Sequence, residues 1–224
     1  MSILFLKKLE NHIAKPCSIC YINHVVITGK KLLDDIKLYI SHSIDVKTAI
    51  LNNEKLLYRI YSAAQMIIEA MKKGKKLLIV GSGSSAADAM RMCTELSSRF
   101  YMARPALPCI ALSADSCAIT SISNDFGFEN IYARQIKAIG REGDILLAIS
   151  TSGGSSSILR AIDTAKEKKM KIIFLTCEMA SASYLQMADW ALNVPSSDPP
   201  LVQEAHNLIE HLICYEVEKE IKVK

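Results

Sequence analysis

Residues 145–155 read ILLAISTSGGS, an unbroken apolar run that passes directly into a loop of serine, threonine and glycine. An apolar run of this length is typical of a strand that is covered on both faces of a sheet. The residues that follow, at about 155–168, read as a helix. The sequence therefore predicts a strand, a loop and a helix in direct succession, with the loop at the carboxyl end of the strand.

The same alternation of apolar runs and helical stretches continues on both sides of this unit. The predicted strands lie within residues 76–80, 106–113, 145–149, 171–176 and 190–194, and the helices between them at about 85–100, 128–139, 155–168 and 181–188. Strands that alternate with helices form parallel sheets whose faces the helices cover. We therefore predict an α/β fold, a three-layer αβα sandwich around a five-stranded parallel sheet.

Further helices are predicted before and after the sheet. Apolar residues recur at helical spacing over 31–53, where a break is expected near Asp45. A second helix is predicted over 54–73, with Gly74 as its stop. A long final helix is predicted over about 200–220. The sheet is therefore expected to be flanked by a leading helical pair and a closing helix.

The chain of 224 residues is long enough for one domain with a sizeable core. Residues 1–30 show no clear period and are interpreted as an extension, so that residues 31–224 form a single domain. The net charge of +4 is too small to indicate a nucleic acid partner. No apolar run approaches the ~20 residues of a membrane span. We expect neither nucleic acid nor a membrane as a partner.

Seven cysteines, an odd number, are scattered through the sequence, which indicates a reducing compartment. Cys17 and Cys20 have C-x-x-C spacing, but no second pair accompanies them, so we interpret the spacing as coincidental. The short apolar patch at 1–6 precedes Lys7 and Lys8, which is the wrong charge order for a secretory signal. A cytoplasmic location is expected.

Two of the predicted strands end in loops with unusual chemistry. The loop at 150–155 places four hydroxyls and two glycines in six positions, and the loop at 81–85 reads GSGSS. Each precedes a helix, whose first N–H groups are unpaired and carry a partial positive charge. A plain helix N-cap would need only one such hydroxyl. We therefore predict a phosphate cradle, to which the loop at 81–85 contributes Ser82, Ser84 and Ser85.

Several stretches, in the same order, resemble the SIS (sugar isomerase) domain family over roughly residues 32–221. They are GSGSSAADA at 81–89, SRF at 98–100, RP at 104–105, SNDFGF at 123–128, GREGD at 140–144, ISTSG at 149–153 and VQEAH at 202–206. Within the family the chain is similar to the phosphoheptose isomerases, which interconvert sedoheptulose 7-phosphate and D-glycero-D-manno-heptose 7-phosphate. The resemblance implies this aldose–ketose isomerisation, in the synthesis of heptose for lipopolysaccharide or another surface polysaccharide.

The resemblance also implies the roles of individual residues. It implies that the phosphate is held by Ser150, Thr151, Ser152 and Ser155. It implies that the sugar contacts Ser82, Gly83, Ser84, Asn124, Asp125 and Gln203. Glu95 and His211 would be the catalytic acid–base pair. The molecule would be a homotetramer whose active sites are shared across a subunit interface.

The chemistry of isomerisation agrees with this acid–base pair. A base must move a proton between adjacent carbons through an enediol, and a second group must move protons on the oxygens. A carboxylate and an imidazole suit these tasks, and Glu95 lies on the predicted helix after the first loop while His211 lies on the final helix. By the residues alone, Glu95 reads more simply as a solvated side chain, and Asn124 and Asp125 as part of a turn.

The resemblance fails at Arg91, four residues before Glu95. The family usually has a histidine there, which in zinc-containing members ligates the metal together with the positions of Glu95, Gln203 and His211. A guanidinium stays protonated and has no lone pair for a metal, and glutamine is a poor zinc ligand. A tight zinc site is therefore not expected, and neither is an organic cofactor. Arg91 could instead pair with Glu95 at i, i+4, which would hold the carboxylate ionised and weaken it as a base.

Three smaller departures accompany Arg91: Ser82 and Ser84 stand where the family mostly has Asn and Gly, and Leu201 stands where an arginine is common. The pattern keeps phosphate binding and changes the half of the site that reacts with the sugar. Three hypotheses stay open. The chain is a heptose-phosphate isomerase, or a non-catalytic SIS protein that senses a sugar phosphate or binds a partner such as a replication initiator, or an isomerase in which Arg91 reads a second anionic group.

Overall fold

Five parallel strands form the centre of the protein in a computed structural model that describes residues 29–221. They are β1 (Leu77–Gly81), β2 (Cys109–Ala111), β3 (Ile145–Ser150), β4 (Lys171–Cys177) and β5 (Trp190–Val194). Their order in the sheet is β2-β1-β3-β4-β5. The predicted five-stranded parallel sheet is confirmed. Cys17, Cys20 and residues 1–28 of the predicted extension lie outside the described residues.

Eight α-helices occur within residues 29–221. They are α1 (Gly29–Leu51), α2 (Glu54–Lys72), α3 (Ser84–Ser97), α4 (Ser116–Phe126), α5 (Ile131–Ile139), α6 (Ser156–Glu167), α7 (Ala182–Leu185) and α8 (Pro199–Glu220). The predicted break in the first helix near Asp45 is wrong, because this side chain is exposed and a solvated Asp costs a helix only a fraction of a kcal/mol. Gly74 follows α2 with a φ of 71°, as expected of a stop.

Two compact units divide the chain, residues 1–39 and 40–224. Of the first unit, the structure describes only the opening part of α1. The second unit contains the sheet and helices α2 to α8. The assignment of residues 31–224 to a single domain stays a prediction.

Helices cover both faces of the sheet, as the αβα sandwich requires. Along β1, Leu77 and Ile79 are buried with residues of α2, α3 and α8, whereas Leu78 and Val80 are buried with residues of α5 and α6. All four side chains are fully buried. Successive side chains of a strand point to opposite faces, so a strand covered on both sides must be apolar throughout. This requirement explains why the strands were visible in the sequence.

Helix α4 was not predicted. Its N-cap Asp115 accepts a hydrogen bond from the N–H of Ala118 at 3.0 Å, so a proper start signal exists. None of its residues is buried, however, and four of its eleven are Ser or Thr. The apolar period that identifies a helix in a sequence reflects burial, so a helix without buried residues leaves only a weak signal.

No helix among the described residues is long and apolar enough to cross a membrane. The five cysteines of the same range are free thiols. Cys177 and Cys214 are buried, whereas Cys109 is only partly buried. It lies on β2, which is an edge strand of the sheet.

Arg104 ties the end of α3 to α8. Its Nη1 donates to the carbonyl oxygen of Leu96 at 2.7 Å and its Nη2 to that of Glu95 at 2.6 Å. Its Nε lies 3.3 Å from a carboxylate oxygen of Glu218 on α8, and both side chains are almost fully buried. These carbonyls belong to the last turn of α3, where helix carbonyls lack partners within the helix. Arg104 thus fixes the backbone that carries Glu95.

Glu218 is held as firmly from its other side. Its two carboxylate oxygens accept from the backbone N–H of Phe100 at 3.1 Å and of Tyr101 at 2.7 Å. Burial alone would raise the pKa of Glu218, but the backbone N–H groups of residues 100–102 and the guanidinium of Arg104 outweigh it, and the pKa lies below its usual range. The carboxylate of Glu218 is therefore satisfied although it is buried.

We predict that Arg104→Met lowers the free energy of unfolding by about 3–5 kcal/mol, because it leaves a buried carboxylate without its cation. Urea denaturation measures the loss. Arg99→Met is the matched control, since Arg99 is exposed in the same segment, and it should change stability by less than about 0.5 kcal/mol. Equal losses in the two variants would contradict the anchoring role of Arg104.

Candidate functional site

The carboxyl ends of β1 and β3 meet at the point where the strand order of the sheet changes direction. The chain leaves β1 toward β2 on one side, and β3 pairs with β1 on the other. Gly81 is paired with Ile149, so the two predicted phosphate-binding loops begin side by side. Ligands of open α/β sheets bind at such a switch point.

A cavity of about 230 Å³ opens between these two loops. Its polar lining consists of six hydroxyl side chains, Ser82, Ser85, Ser150, Thr151, Ser152 and Ser155. All six are residues that the sequence assigned to the cradle. Gly83 and Ser84 stand at the exposed start of α3 and are not among the residues that line it.

The loop after β3 is shaped by Gly153, whose φ is 68°. A Cβ at this position would lie 2.6 Å from the Cβ of Ala180, which is far too close. The N–H of Gly153 donates to Oγ of Ser150 at 3.2 Å, which closes the turn. Gly154, the next residue, has open space around the position of a Cβ. Gly153 is therefore required by the fold of the loop and Gly154 is not.

Helix α6 begins at the cavity without a side-chain cap. Ser155 is its N-cap residue, yet its hydroxyl makes no cap hydrogen bond to the backbone. This geometry argues against the interpretation that the loop serines serve only as a cap. The free N–H groups and the positive end of the helix dipole are left for an anionic ligand.

Ser157 was missed by the sequence analysis. Its hydroxyl is fully buried and lies 3.3 Å from Oγ of Ser82 and 3.2 Å from Oγ of Ser155, so it joins the two loops. Tyr132 supports the first loop from below, since its hydroxyl donates to the carbonyl oxygen of Gly81 at 2.5 Å. Burial raises the pKa of Tyr132, and a hydrogen bond with Ser82 opposes the shift.

Asn124 and Asp125 were predicted to form part of a loop turn. They lie instead at the C-terminal end of helix α4. Both are exposed, and Nδ2 of Asn124 donates to the Asp125 carboxylate at 2.8 Å. Neither is among the residues that line the cavity. The structure of this chain does not bring them together with the cradle.

Glu95 and His211 are brought together, as the sequence analysis expected. Nε2 of His211 lies 3.2 Å from Oε1 of Glu95. The Glu95 side chain is mostly buried, at 15% exposure, whereas His211 is 44% exposed. The ring of Phe100 stacks on that of His211 with centroids 5.6 Å apart, which fixes the plane of the imidazole. The pair joins α3 to α8.

Arg91 also contacts Glu95. Its Nη1 donates to Oε1 of Glu95 at 2.8 Å, and its Nη2 donates to Oε2 of Glu210 at 2.5 Å. The second contact was not predicted, because it joins two helices that are 119 residues apart in the sequence. With each terminal nitrogen engaged by a carboxylate, the structure gives no support to the hypothesis that Arg91 reads a second anionic group of the substrate.

Glu210 is fully buried beside this guanidinium. Burial raises the pKa of Glu210 to about 8; Arg91 opposes the shift, and the nearby carboxylates of Asp88 and Glu95 add to it. The carboxyl group of Glu210 therefore favours its protonated form at neutral pH, beside the guanidinium.

The side-chain amide of Gln203 contacts the carboxylate of Asp88 and is not turned toward Glu95 and His211. Its Nε2 donates to Asp88 at 3.3 Å, and Nδ2 of Asn207, one turn later on α8, donates to Asp88 at 3.1 Å. Burial raises the pKa of Asp88, and these two amides and Arg91 work against the shift. Asp88 was not singled out in the sequence, where a single Asp on a helix reads as a solvated side chain.

The residues present do not fit a zinc ion. Oε1 of Glu95 already accepts from Arg91 and His211, and the amide of Gln203 is turned to Asp88. Within residues 29–221, no group of three His, Cys, Asp or Glu side chains is arranged to hold a metal. The guanidinium beside Glu95 would also repel a divalent cation.

His206 lies on α8 behind the site, where it serves the core. It is fully buried, and its Nε2 donates to the carbonyl oxygen of Thr176 at 3.2 Å. Burial lowers its pKa to about 4, although the hydrogen bond to Thr176 opposes the shift. His206 is therefore a hydrogen-bonded histidine of the core and not part of the reacting site.

Comparison with known proteins places these features in a family. The sequence pattern of the SIS domain matches residues 39–177. The phosphoheptose isomerase of Aneurinibacillus thermoaerophilus is 44% identical over 188 residues, which cover 84% of this chain and 94% of that protein. Phosphoheptose isomerase 2 of Campylobacter jejuni is 44% identical over 186 residues, which cover 83% of this chain and 92% of that protein.

Two solved structures resemble the fold closely. A phosphoheptose isomerase from Francisella tularensis superposes with a TM-score of 0.80 at 39% identity, covering 84% of this chain and 98% of that one. The phosphoheptose isomerase GmhA from Neisseria gonorrhoeae superposes with a TM-score of 0.78 at 31% identity, covering 84% of this chain and 99% of that one.

Gly153→Ala is expected to lower the free energy of unfolding by about 2 kcal/mol, since a Cβ would strain the positive φ and collide with Ala180. It should also weaken the binding of inorganic phosphate, because the loop must move. Gly154→Ala is the control, expected to change stability by less than about 0.5 kcal/mol. Thermal unfolding and calorimetric titration measure the two effects. Indistinguishable variants would overturn this account of the loop.

His206 predicts a pH dependence of stability. The folded pKa of about 4 lies below the ordinary value of 6.5, so between these pH values the unfolded chain binds the extra proton. Stability from this group is present above pH 6.5 and is lost as the pH falls toward 4, by about 3 kcal/mol in total. His206→Gln should flatten this part of the curve of unfolding free energy against pH. His42→Gln, an exposed histidine, should not; the same slope in all three proteins would refute the assignment.

Proposed function

The chain belongs to the SIS domain family and within it to the phosphoheptose isomerases, and on this premise we propose that it interconverts sedoheptulose 7-phosphate and D-glycero-D-manno-heptose 7-phosphate. One observation carries the proposal beyond the family. Glu95 and His211 meet at 3.2 Å, and Glu95 stands on the same helix, α3, whose first turn lines the hydroxyl cavity. A base, its partner and an anion site are thus held by one framework.

The spacing along α3 suits a long substrate. Glu95 follows Ser85 by ten residues, or about 15 Å of helix axis. Because helical side chains lean toward the N-terminus, the carboxylate of Glu95 reaches back toward the cradle. A seven-carbon sugar that is held by its terminal phosphate can reach from the cradle toward Glu95, whereas a triose phosphate cannot.

The phosphate is held by hydroxyl and N–H donors alone. Ser150, Thr151, Ser152 and Ser155 surround it from the loop after β3, and Ser82 and Ser85 face it from the loop after β1. The positive end of the α6 dipole favours its charge. A site of this kind stabilises substrate and transition state alike, and its contribution is to place the sugar chain.

Glu95 acts as the base. Its Oε1 is engaged by Arg91 and His211, whereas its buried Oε2 has no hydrogen-bond partner among the described residues. The Glu95 carboxylate takes the proton from the carbon beside the carbonyl and returns it to the neighbouring carbon of the enediol. His211, which is partly exposed, moves the proton between the two oxygens.

We also propose that the protein acts in the cytoplasm as a homotetramer that supplies heptose for a surface polysaccharide. Free thiols support a reducing compartment. Large apolar side chains are exposed on α1 and α2, among them Ile40, Ile44, Tyr58 and Tyr61. Several large apolar side chains left exposed on two consecutive helices support a surface that another subunit covers.

A non-catalytic SIS protein is the alternative, and Arg91 is the observation that favours it, because its contact occupies Glu95. Turnover separates the two. The purified chain, incubated in D₂O with sedoheptulose 7-phosphate, should form the aldose with deuterium at carbon 2, as followed by NMR, since the enediol exchanges its proton with solvent. Binding without turnover would establish the alternative instead.

Glu95→Gln should lower kcat by about 10²–10⁴-fold, because an amide cannot accept the proton. Glu69→Gln, an exposed glutamate of α2, is the matched control and should retain full activity. Both variants should still bind the substrate in calorimetric titration, since the cradle is untouched. Full turnover by Glu95→Gln would remove Glu95 from the role of base.

A further inference from the structure

We propose that Glu210 is a positioning residue which holds the guanidinium of Arg91 against Glu95, and that this guanidinium occupies the role of a metal ion in the site. Its catalytic consequence rests on the proposed isomerase function. Its structural claim, that Arg91 on α3 and Glu210 on α8 form a fixed pair which excludes a metal, does not depend on turnover.

The geometry is that of a bridge. Arg91 lies on α3, one turn before Glu95, and its two terminal nitrogens point to different carboxyl groups. Nη1 contacts Glu95 at 2.8 Å and Nη2 contacts Glu210 on α8 at 2.5 Å. The planar fork of a guanidinium can make both contacts at once in one fixed orientation, which an ammonium cannot do.

The burial of Glu210 requires an explanation. A carboxyl group with no exposure costs more free energy to bury than a similar apolar side chain would. The cation that contacts it is Arg91, and its second oxygen, Oε1, has no hydrogen-bond partner among residues 29–221. Packing alone would therefore favour leucine at this position. The acceptor is useful only because it fixes the guanidinium.

The same contact decides what else the site can hold. Oε1 of Glu95 has a guanidinium at 2.8 Å and an imidazole at 3.2 Å, which use both of its lone pairs. A cation that is already present, and anchored from α8, offers the carboxylate what a metal would offer it. Its remaining oxygen, Oε2, is buried and has no hydrogen-bond partner among residues 29–221.

Metal content tests the inference without any reaction. The purified full chain is equilibrated with excess ZnCl₂, passed through a desalting column and assayed by plasma mass spectrometry. We expect no zinc at the level of one ion per chain. One ion per chain in the unmodified protein that disappears in Glu95→Gln would overturn the proposal.

Substitution of Glu210 tests its positioning role. Glu210→Leu keeps the volume but removes the acceptor, and should lower kcat about 100-fold with KM changed less than about twofold, because the substrate still binds while Arg91 and Glu95 lose their fixed positions. Glu210→Gln retains an oxygen that accepts from Nη2 and should recover most of this loss. Glu216→Leu, the same change on a partly exposed glutamate of α8, should leave kcat unchanged.

A double-mutant cycle of melting temperatures serves as the readout if the protein does not turn over the sugar. Arg91→Met and Glu210→Leu should each lower Tm by about 5–15 °C, because the first leaves the buried Glu210 without a cation and the second leaves Nη2 of Arg91 without an acceptor. The double variant should be more stable than the sum of these losses predicts. Additive losses would show that the two side chains are not a pair and would overturn the inference, whatever the activity. A rise in KM with an unchanged kcat in Glu210→Leu would overturn the inference as well.

Discussion

The parallel pairing of β1 with β3 is the constraint on which the rest of the site depends. When the connections that follow two adjacent parallel strands run to opposite sides, a crevice forms at the carboxyl ends of the strands. Gly81 and Ile149 are register partners at the edge of this crevice. Each loop then passes straight into a helix whose N-terminus faces the crevice. The hydroxyls of the two loops are neighbours because of this register, although nearly seventy residues separate them in the sequence.

A second relation governs the reacting half of the site. Helices α3 and α8 lie on the same face of the sheet, and their contact is polar as well as apolar. Asp88 with Gln203 and Asn207, Glu95 with His211, and Arg91 with Glu210 form three successive polar contacts along it. Arg104 closes the series at the end of α3. The position of Glu95 on α3 therefore depends on contacts that α3 makes with α8 along the interface of the two helices.

The parts of the fold that could be predicted are those whose burial forces a composition. The central strands had to be apolar along most of their length, and glycine- and serine-rich loops follow two of them, so both features could be predicted. Helix α4 buries none of its residues and left no period to find. Ser157, Asp88 and Glu210 could not be singled out, because the direction of a helical side chain toward a neighbour depends on how the helices pack. The hydroxyl residues that line the cavity could be singled out, because they follow directly after two predicted strands in two short loops.

The partnership of Arg91 with Glu210 has a historical consequence. Each residue supports the other, since loss of Arg91 would leave the buried Glu210 without its cation, and loss of Glu210 would leave Nη2 of Arg91 without its acceptor. A lineage that has acquired both cannot revert either one alone without passing through a less stable protein. The residues at positions 91 and 210 are thus expected to change together or not at all among descendants of this sequence.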